Sequence, residues 1–365
     1  MSNLPAPALT VSLGDRSYPV YIVENRLNDF PAILERHFPA RKLALVTNTT
    51  IAFMYHEQLE SLKRTVPFIQ CVIPDGEQYK TIETWSAIID TLLQARIDRT
   101  TVLLALGGGV VGDMAGFAAA SVLRGIECVQ IPTTLLAMVD SSVGGKTGIN
   151  HQWGKNLIGA FHQPSLVWVD VACLATLPRR EYIAGMAEII KNAFIGGRAM
   201  FDFIAASLPA LLINDPVLLR QAIERSIQIK ADIVSQDERE TGVRALLNFG
   251  HTFAHSLEHF YGYGTLLHGE AVLLGIRCAC ELSKSLHLIQ SSEWPLYQTI
   301  LANLPVIALP SSPDGEELYT AMFSDKKTKQ GALRFVLPTE AGSSSIVTDV
   351  PKEKVIETIG TVLTE

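Results

Sequence analysis

Residues 101–120 read TVLLALGGGVVGDMAGFAAA, and the fold turns on this stretch. Thr101 to Leu106 form a short apolar run suited to a buried strand. Gly107, Gly108, Gly109 and Gly112 follow at once, and an Ala-rich stretch of helical character comes after them. Gly107, Gly109 and Gly112 satisfy GxGxxG in the strand-to-helix setting that the pattern requires. Glycines there permit a tight turn and let main-chain N–H groups approach a pyrophosphate at the positive end of a helix. A plain glycine turn is the competing interpretation of the bare pattern. The chain also departs from the usual dinucleotide fingerprint. The motif lies about 100 residues in, and Glu127, at the right distance for a ribose-binding acid, precedes its strand instead of ending it. Glu77 and Lys80 in PDGEQYK are candidates for the ribose from an earlier strand end, with a solvated helix start as the plainer alternative.

Outward from this motif the same rhythm repeats. Short apolar runs at 42–47, 68–73, 101–106, 128–131 and 166–169 are separated by helix-like stretches such as 82–95. That alternation predicts a parallel sheet covered by helices. After Pro178 the texture changes, and 179–194, 216–234, 247–260 and 269–287 carry apolar residues at helical spacing. The expected architecture is an α/β nucleotide-binding domain with a parallel sheet over residues 1–177, followed by an all-helical domain over 178–365.

A chain of 365 residues exceeds what one hydrophobic core usually serves, which agrees with two domains. Hydrophobic residues make up 48% and charged residues 18%, the composition of an ordinary globular protein. A formal net charge of -7 and a pI near 5.8 leave no overall positive field for a nucleic acid. Cys71, Cys128, Cys173, Cys278 and Cys280 are dispersed without a CxxC pair, which fits reduced, packed thiols. The first residues show no basic start followed by an apolar core, and no apolar run is long enough to span a bilayer. A cytoplasmic, soluble chain without membrane or nucleic-acid partners is expected.

Four further segments carry chemistry. DSSVGGKTGINHQWGKN (140–156) holds Asp140, Lys146, Lys155 and Asn156 in a glycine-rich stretch. It is not a P-loop, because Asp140 stands where GxxxxGK[ST] needs its first glycine. Two lysines and an asparagine in a glycine-rich loop still suit a phosphate monoester. In GMAEIIKNAF (185–194), Glu188 and Lys191 share a helix face, a spacing that by itself usually marks a surface salt bridge.

LLNFGHTFAHSLEHF (246–260) sets His251, His255 and His259 at four-residue steps, and His268 follows in LLHGEAV. Histidines on an apolar helix are expensive to bury unless partnered, and imidazole with carboxylate is a common set for a divalent ion. Spacing alone pairs His251 with His255 as ligands. HTFAH lacks the glutamate of HExxH, so a zinc protease is not indicated, and His259 reads as a satisfied or exposed histidine. Lys230, Arg244, Lys326 and Lys327 read singly as surface charges. Together with Arg124, Lys146 and Lys191 they form a candidate anion site.

Taken in order, GGGVVGDMAGFAAASVLRG, IPTTLLAMVDSSVGGKTGIN, GKNLIGAFHQP, GMAEIIK, LNFGHTFAHSLE and HGEAV resemble the 3-dehydroquinate synthase family over roughly residues 40 to 340. The resemblance implies an NAD-binding α/β domain, a helical domain and an active site in the cleft between them. It replaces the His251/His255 pairing with Glu188, His251 and His268 as ligands of one divalent ion, zinc or cobalt. Two histidines and one carboxylate leave coordination positions open for substrate. By the same resemblance Glu77, Lys80, Gly108, Gly109, Val110, Asp113, Thr133, Thr134, Lys155 and Thr176 line the NAD site. Asp140, Lys146, Asn156, Lys191, Lys230, Arg244, Asn248, His255 and one of Lys326 and Lys327 match substrate-binding positions. His255, Glu240, Lys146, Asp140 and Lys191 form the expected catalytic set, with His255 and Glu240 in proton transfer. Arg124 matches an arginine that reaches the phosphate from a neighbouring subunit, so a homodimer is implied. The chain departs from the family pattern at Ala184, where a polar residue is more usual before Gly185.

The implied reaction converts 3-deoxy-D-arabino-heptulosonate 7-phosphate to 3-dehydroquinate and phosphate, a step of the shikimate pathway to aromatic amino acids. It proceeds by transient oxidation with NAD, phosphate elimination, re-reduction, ring opening and aldol closure. Two other classes share parts of this pattern. A sister sugar-phosphate cyclase would accept a substrate without a carboxylate, against which Lys230, Arg244, Asn248 and His255 speak together. A metal-dependent alcohol or polyol dehydrogenase would release NADH.

Overall fold

The computed structural model describes residues 4–323 and 333–363. Their contacts divide the chain into two compact units, Met1–Pro178 with Lys230–Glu238, and Arg179–Ile229 with Arg239–Glu365. Relative to an undivided split at 177/178, the first unit therefore also takes the segment Lys230–Glu238 from much later in the chain.

In the first unit the elements are β1 (Leu9–Val11), β2 (Tyr18–Val23), α1 (Phe30–His37), β3 (Leu43–Asn48), α2 (Thr49–Met54), α3 (His56–Thr65) and β4 (Phe68–Ile73). Then come α4 (Ile82–Gln94), β5 (Val102–Gly107), α5 (Gly109–Ser121), β6 (Glu127–Pro132), β7 (Lys146–His151), β8 (Gly154–Phe161) and β9 (Leu166–Asp170). Seven strands form one sheet in the order β1-β2-β9-β6-β5-β3-β4. Every pairing is parallel except β1 with β2. The parallel strands expected from the sequence are all present, and β1 and β2 add an edge that the reading did not anticipate.

Strand β5 is buried along its whole length because both sheet faces are covered. Val102 and Leu104 join Leu43, Leu45, Val129, Trp168 and α1 on one face. Leu103 and Ala105 pack with Ala44, Val46 and the Met114, Ala115 and Ala118 face of α5 on the other. The strand ends at Gly107, with the start of α5 two residues on. That is where a parallel sheet offers its ligand-binding edge.

The segment 140–156, expected as a glycine-rich loop, is ordered differently. Ala137–Ser141 forms a π-helical turn, and β7 and β8 make an antiparallel hairpin. Gly148 and Gly159 face each other across it, and a Cβ on either would run into the opposing backbone. The glycines that read as loop composition are thus required by the close approach of two strands.

The second unit contains α6 (Arg179–Ile195), α7 (Arg198–Leu212), the start of α8 (Pro216–Gln236), α9 (His251–Phe260), α10 (His268–Ser285), α11 (Trp294–Leu301) and α12 (Gly315–Met322). It closes with β10 (Phe335–Glu340), β11 (Ser343–Val347) and α13 (Lys352–Leu363). It is helical as expected, with one β-hairpin added. The continuous helix predicted over 247–260 is broken. A 3-10 turn covers Val243–Asn248, and α9 starts at His251 because Gly250 takes φ 77°, a left-handed conformation that interrupts the helix. No helix among the described residues is long and apolar enough to cross a membrane.

Candidate active site

In the first unit, the end of β5 and the N-terminus of α5 set Gly108, Gly109 and Val110 in line. Gly108 packs beside Thr134, and the Thr133 amide donates to the Gly107 carbonyl at 3.0 Å. The Thr133 hydroxyl is buried without a hydrogen bond among the described residues. That free donor and acceptor, beside a glycine turn at a helix N-terminus, suits a polar cofactor.

For Lys80, the plainer alternative of a solvated helix start does not hold: it is only 4% exposed. Its ammonium meets the Asp113 carboxylate and the Asn156 side-chain oxygen, each at 2.5 Å. Burial pushes the Asp113 carboxyl up, against the pull of the neighbouring Lys80 ammonium. Glu77 accepts from Asn150 at 2.7 Å, and Asn150 accepts from the Asn156 amide at 2.9 Å. Five residues from three separate segments thus form one polar network. Asn156 holds φ 53°, a conformation asparagine tolerates better than most residues.

Lys230 reaches Asp140 twice, at 2.6 Å from its main-chain oxygen and 2.5 Å from its carboxylate. Asp140 lies in the π-helical turn, a distortion that often marks functional positions. Lys146 is exposed at the first position of β7, Lys155 is half-buried on β8, and Arg124 is exposed on a turn. Thr176, also exposed, bonds the Tyr55 hydroxyl at 3.3 Å and stands outside the polar network around Lys80.

In the second unit, Glu188 from α6, His251 from α9 and His268 from α10 converge, with one ligand atom from each lying within 4.8 Å of the others. Both imidazoles turn Nε2 toward Glu188 Oε1, at 3.7 Å from His251 and 3.8 Å from His268. His251 Nδ1 lies 3.0 Å from the Phe249 carbonyl. A carbonyl only accepts, so Nδ1 carries a proton, and in the neutral ring Nε2 keeps its lone pair. Glu188 is almost fully buried; its Oε1 has no hydrogen bond among the described residues, and its Oε2 meets the Lys191 ammonium. Two imidazole nitrogens and a carboxylate oxygen facing one point fit a divalent cation.

The Glu188–Lys191 spacing marks a buried ion pair and no surface bridge, with side chains 2% and 3% exposed. Lys191 engages Oε2 and leaves Oε1 to the histidines. His255 packs its ring 5.5 Å from that of His251 and 6.0 Å from that of His268. Arg244, read singly as a surface charge, is 1% exposed, and Lys230 of the first unit, read the same way, is 7% exposed. Asn248 donates to Glu240 at 2.8 Å, which orients that carboxylate, and Glu240 sits at φ 59°. His259 is exposed. Lys326 and Lys327 lie outside the described residues.

Three residues around the triad escaped the sequence reading. Glu258, 3% exposed, presents Oε2 at 3.5 Å from His268 Nδ1. Glu270 accepts from the Leu267 amide at 2.8 Å, capping α10 beside His268, and Arg180 grips Glu270 through two bonds at 2.6 and 2.7 Å. Glu258 was legible: His251, His255 and Glu258 fall at i, i+4 and i+7, one face of a helix. The sequence reading weighed only the histidines of that helix, set His259 aside as satisfied or exposed, and passed over Glu258.

Residues 70–184 match the 3-dehydroquinate synthase N-terminal family, and 185–328 match the 3-dehydroquinate synthase C-terminal family. The chain belongs to the 3-dehydroquinate synthase family. A 3-dehydroquinate synthase of Nitrosomonas europaea is 50% identical over 349 residues, 94% of each chain. Among solved structures, 2-epi-5-epi-valiolone synthase from Streptomyces hygroscopicus, with NAD+ and Zn2+ bound, matches at 30% identity and a TM-score of 0.86, covering 96% of this chain and 98% of that one. A 2-deoxy-scyllo-inosose synthase complexed with carbaglucose-6-phosphate, NAD+ and Co2+ matches at 26% identity and a TM-score of 0.87, covering 97% and 100%. Identity is thus higher to this 3-dehydroquinate synthase than to either of these two synthases of other cyclic products.

Proposed function

We propose that the chain catalyses the 3-dehydroquinate synthase reaction, taking 3-deoxy-D-arabino-heptulosonate 7-phosphate to 3-dehydroquinate and phosphate with NAD and one divalent metal ion. The observation that carries the reading is the convergence of Glu188, His251 and His268 in a chain half identical to a 3-dehydroquinate synthase.

Glu188, His251 and His268 hold zinc or cobalt. When bound, such an ion acidifies a coordinated hydroxyl and polarises the ketone derived from it, while NAD accepts and returns the hydride. Gly108, Gly109, Val110, Thr133, Thr134, Lys155 and Thr176 line the NAD site, with Glu77, Lys80 and Asp113 ordered by the Lys80 network.

Lys146, Asn156 and Arg124 supply donors for the phosphate, and Lys191, Lys230, Arg244 and Asn248 position the remaining oxygens of the sugar acid. Such fixed cations stabilise charge as it develops on the leaving phosphate. His255 and Glu240 move protons, Glu240 being oriented by Asn248 and His255 lying beside the two histidine ligands. Asp140, held by Lys230, completes the catalytic set.

The turn at Arg124 supports a homodimer in which this side chain serves the partner's phosphate. Leu123 and Arg124 both hold left-handed conformations, φ 50° and 67°, so strained backbone presents an exposed guanidinium. The enzyme is proposed to work in the cytoplasm, in keeping with its free cysteines.

The test supplies zinc or cobalt, catalytic NAD and the heptulosonate phosphate, then follows phosphate and NADH absorbance together. Phosphate release without lasting NADH is expected. Stoichiometric NADH, or no phosphate, would overturn the reading.

A further inference from the structure

A histidine that ligates an ion through one ring nitrogen keeps a proton on the other, and that N–H needs an acceptor. His251 has one in the Phe249 carbonyl at 3.0 Å. His268 is the first residue of α10, its side chain is 32% exposed, and its Nδ1 faces the Glu258 carboxylate at 3.5 Å. Glu258 sits two turns along α9 from His251, on the same face, and is 3% exposed. A carboxylate is costly to bury unless it has work to do in electrostatic terms.

We infer that Glu258 is a positioning residue for the metal site: it accepts the Nδ1 proton of His268, fixes that ring with Nε2 toward Glu188, and adds negative charge behind the ligand. The inference rests on Glu188, His251 and His268 being the metal ligands. It goes beyond that set by assigning its outer carboxylate. The two histidines are then anchored differently, His251 by a neutral carbonyl of its own turn and His268 by an anion from a neighbouring helix. A second geometric grouping, His255, Glu258 and His268, also brings ligand atoms within 4.8 Å of one another, so the test must separate positioning from direct ligation.

The full-length chain is loaded with Co2+, and the cobalt absorption bands are followed while a chelator competes for the ion. Wild type, Glu258→Gln and His268→Ala are compared. Glu258→Gln is expected to weaken cobalt binding by about 10- to 100-fold while keeping the band pattern, because the ligands themselves are intact. His268→Ala is expected to lose the bands. Unchanged affinity in Glu258→Gln would overturn the positioning role, and so would a loss as complete as that of His268→Ala, which would make Glu258 a ligand. Should Glu258→Gln fail to fold, Glu258→Asp carries the same test, since a shortened carboxylate must also weaken binding, and wild-type affinity there would overturn the role. If wild type itself holds no cobalt, the ligand assignment fails first, a result distinguishable from failure of Glu258 alone.

Discussion

Gly275 of α10 packs directly against the main-chain carbonyl of Gly250, the residue that caps α9 and precedes His251. A second such closure sets Gly269 against the carbonyl of Ala184, one turn before Glu188 on α6. Each approach lies beside a member of the triad, so α6, α9 and α10 are held at backbone distance where Glu188, His251 and His268 must meet. Ala184 itself is 2% exposed, and its carbonyl is the surface Gly269 rests on. Gly275→Ala is expected to force α10 outward, costing about 1–3 kcal/mol and lowering the metal content of the purified chain. Denaturant midpoint and metal analysis check it; full metal content at unchanged stability would count against the packing argument.

Lys191 and Glu188 are a buried pair in which Glu188 is also one of the three proposed metal ligands. Lys191→Met removes the ammonium and leaves a buried carboxylate, a change that costs about 3–5 kcal/mol in the metal-free chain. A bound divalent ion supplies a positive partner again. The rise in melting temperature on adding zinc is therefore expected to be larger for Lys191→Met than for wild type, and equal rises would refute the coupling.

Lys146 begins β7 in an exposed position. Its replacement by alanine should leave stability within about 0.5 kcal/mol of wild type, while kcat/KM for phosphate release falls by about two to three orders of magnitude. Near-normal phosphate release by that variant would remove Lys146 from the catalytic set.

Burial pushes the Cys128 thiol up to about 12 and the Cys173 thiol up to about 11, and raises Cys71, Cys278 and Cys280 as well. A thiol reacts as its thiolate, so the native chain is expected to resist iodoacetamide at neutral to mildly alkaline pH. All five cysteines should label once it is unfolded. Rapid labelling of the native chain at Cys128 would contradict the packed core around β6.

Much of the fold was legible because its signals are local. The apolar run ending in Gly107 announces a strand and a helix start, and the alternation around it announces a parallel sheet. What the sequence hid is set by distant partners. The hairpin of β7 and β8 reads as loop because Gly148 and Gly159 serve each other across strands, and no window along the chain contains that relation. Lys80, Lys230 and Arg244 look like solvent-facing charges until tertiary contacts bury them. At the candidate metal site, helical spacing favoured His251 with His255, since periodicity sees one helix and the cluster of Glu188, His251 and His268 spans three. The family resemblance implied the set Glu188, His251 and His268, whose ligand atoms the fold brings within 4.8 Å of one another, and it did not point to Glu258, Glu270 or Arg180.

The stretch Lys230–Glu238 belongs by its contacts with residues that precede it by more than fifty positions. Lys230 holds Asp140, and Glu238 is held by Arg16 and Gln163. A fragment ending at Pro178 would carry every strand of the large sheet and still lack the ammonium and the carboxylate that three of its own side chains require. A cut at the point where the last strand of the sheet ends would therefore sever contacts that belong to the first unit itself.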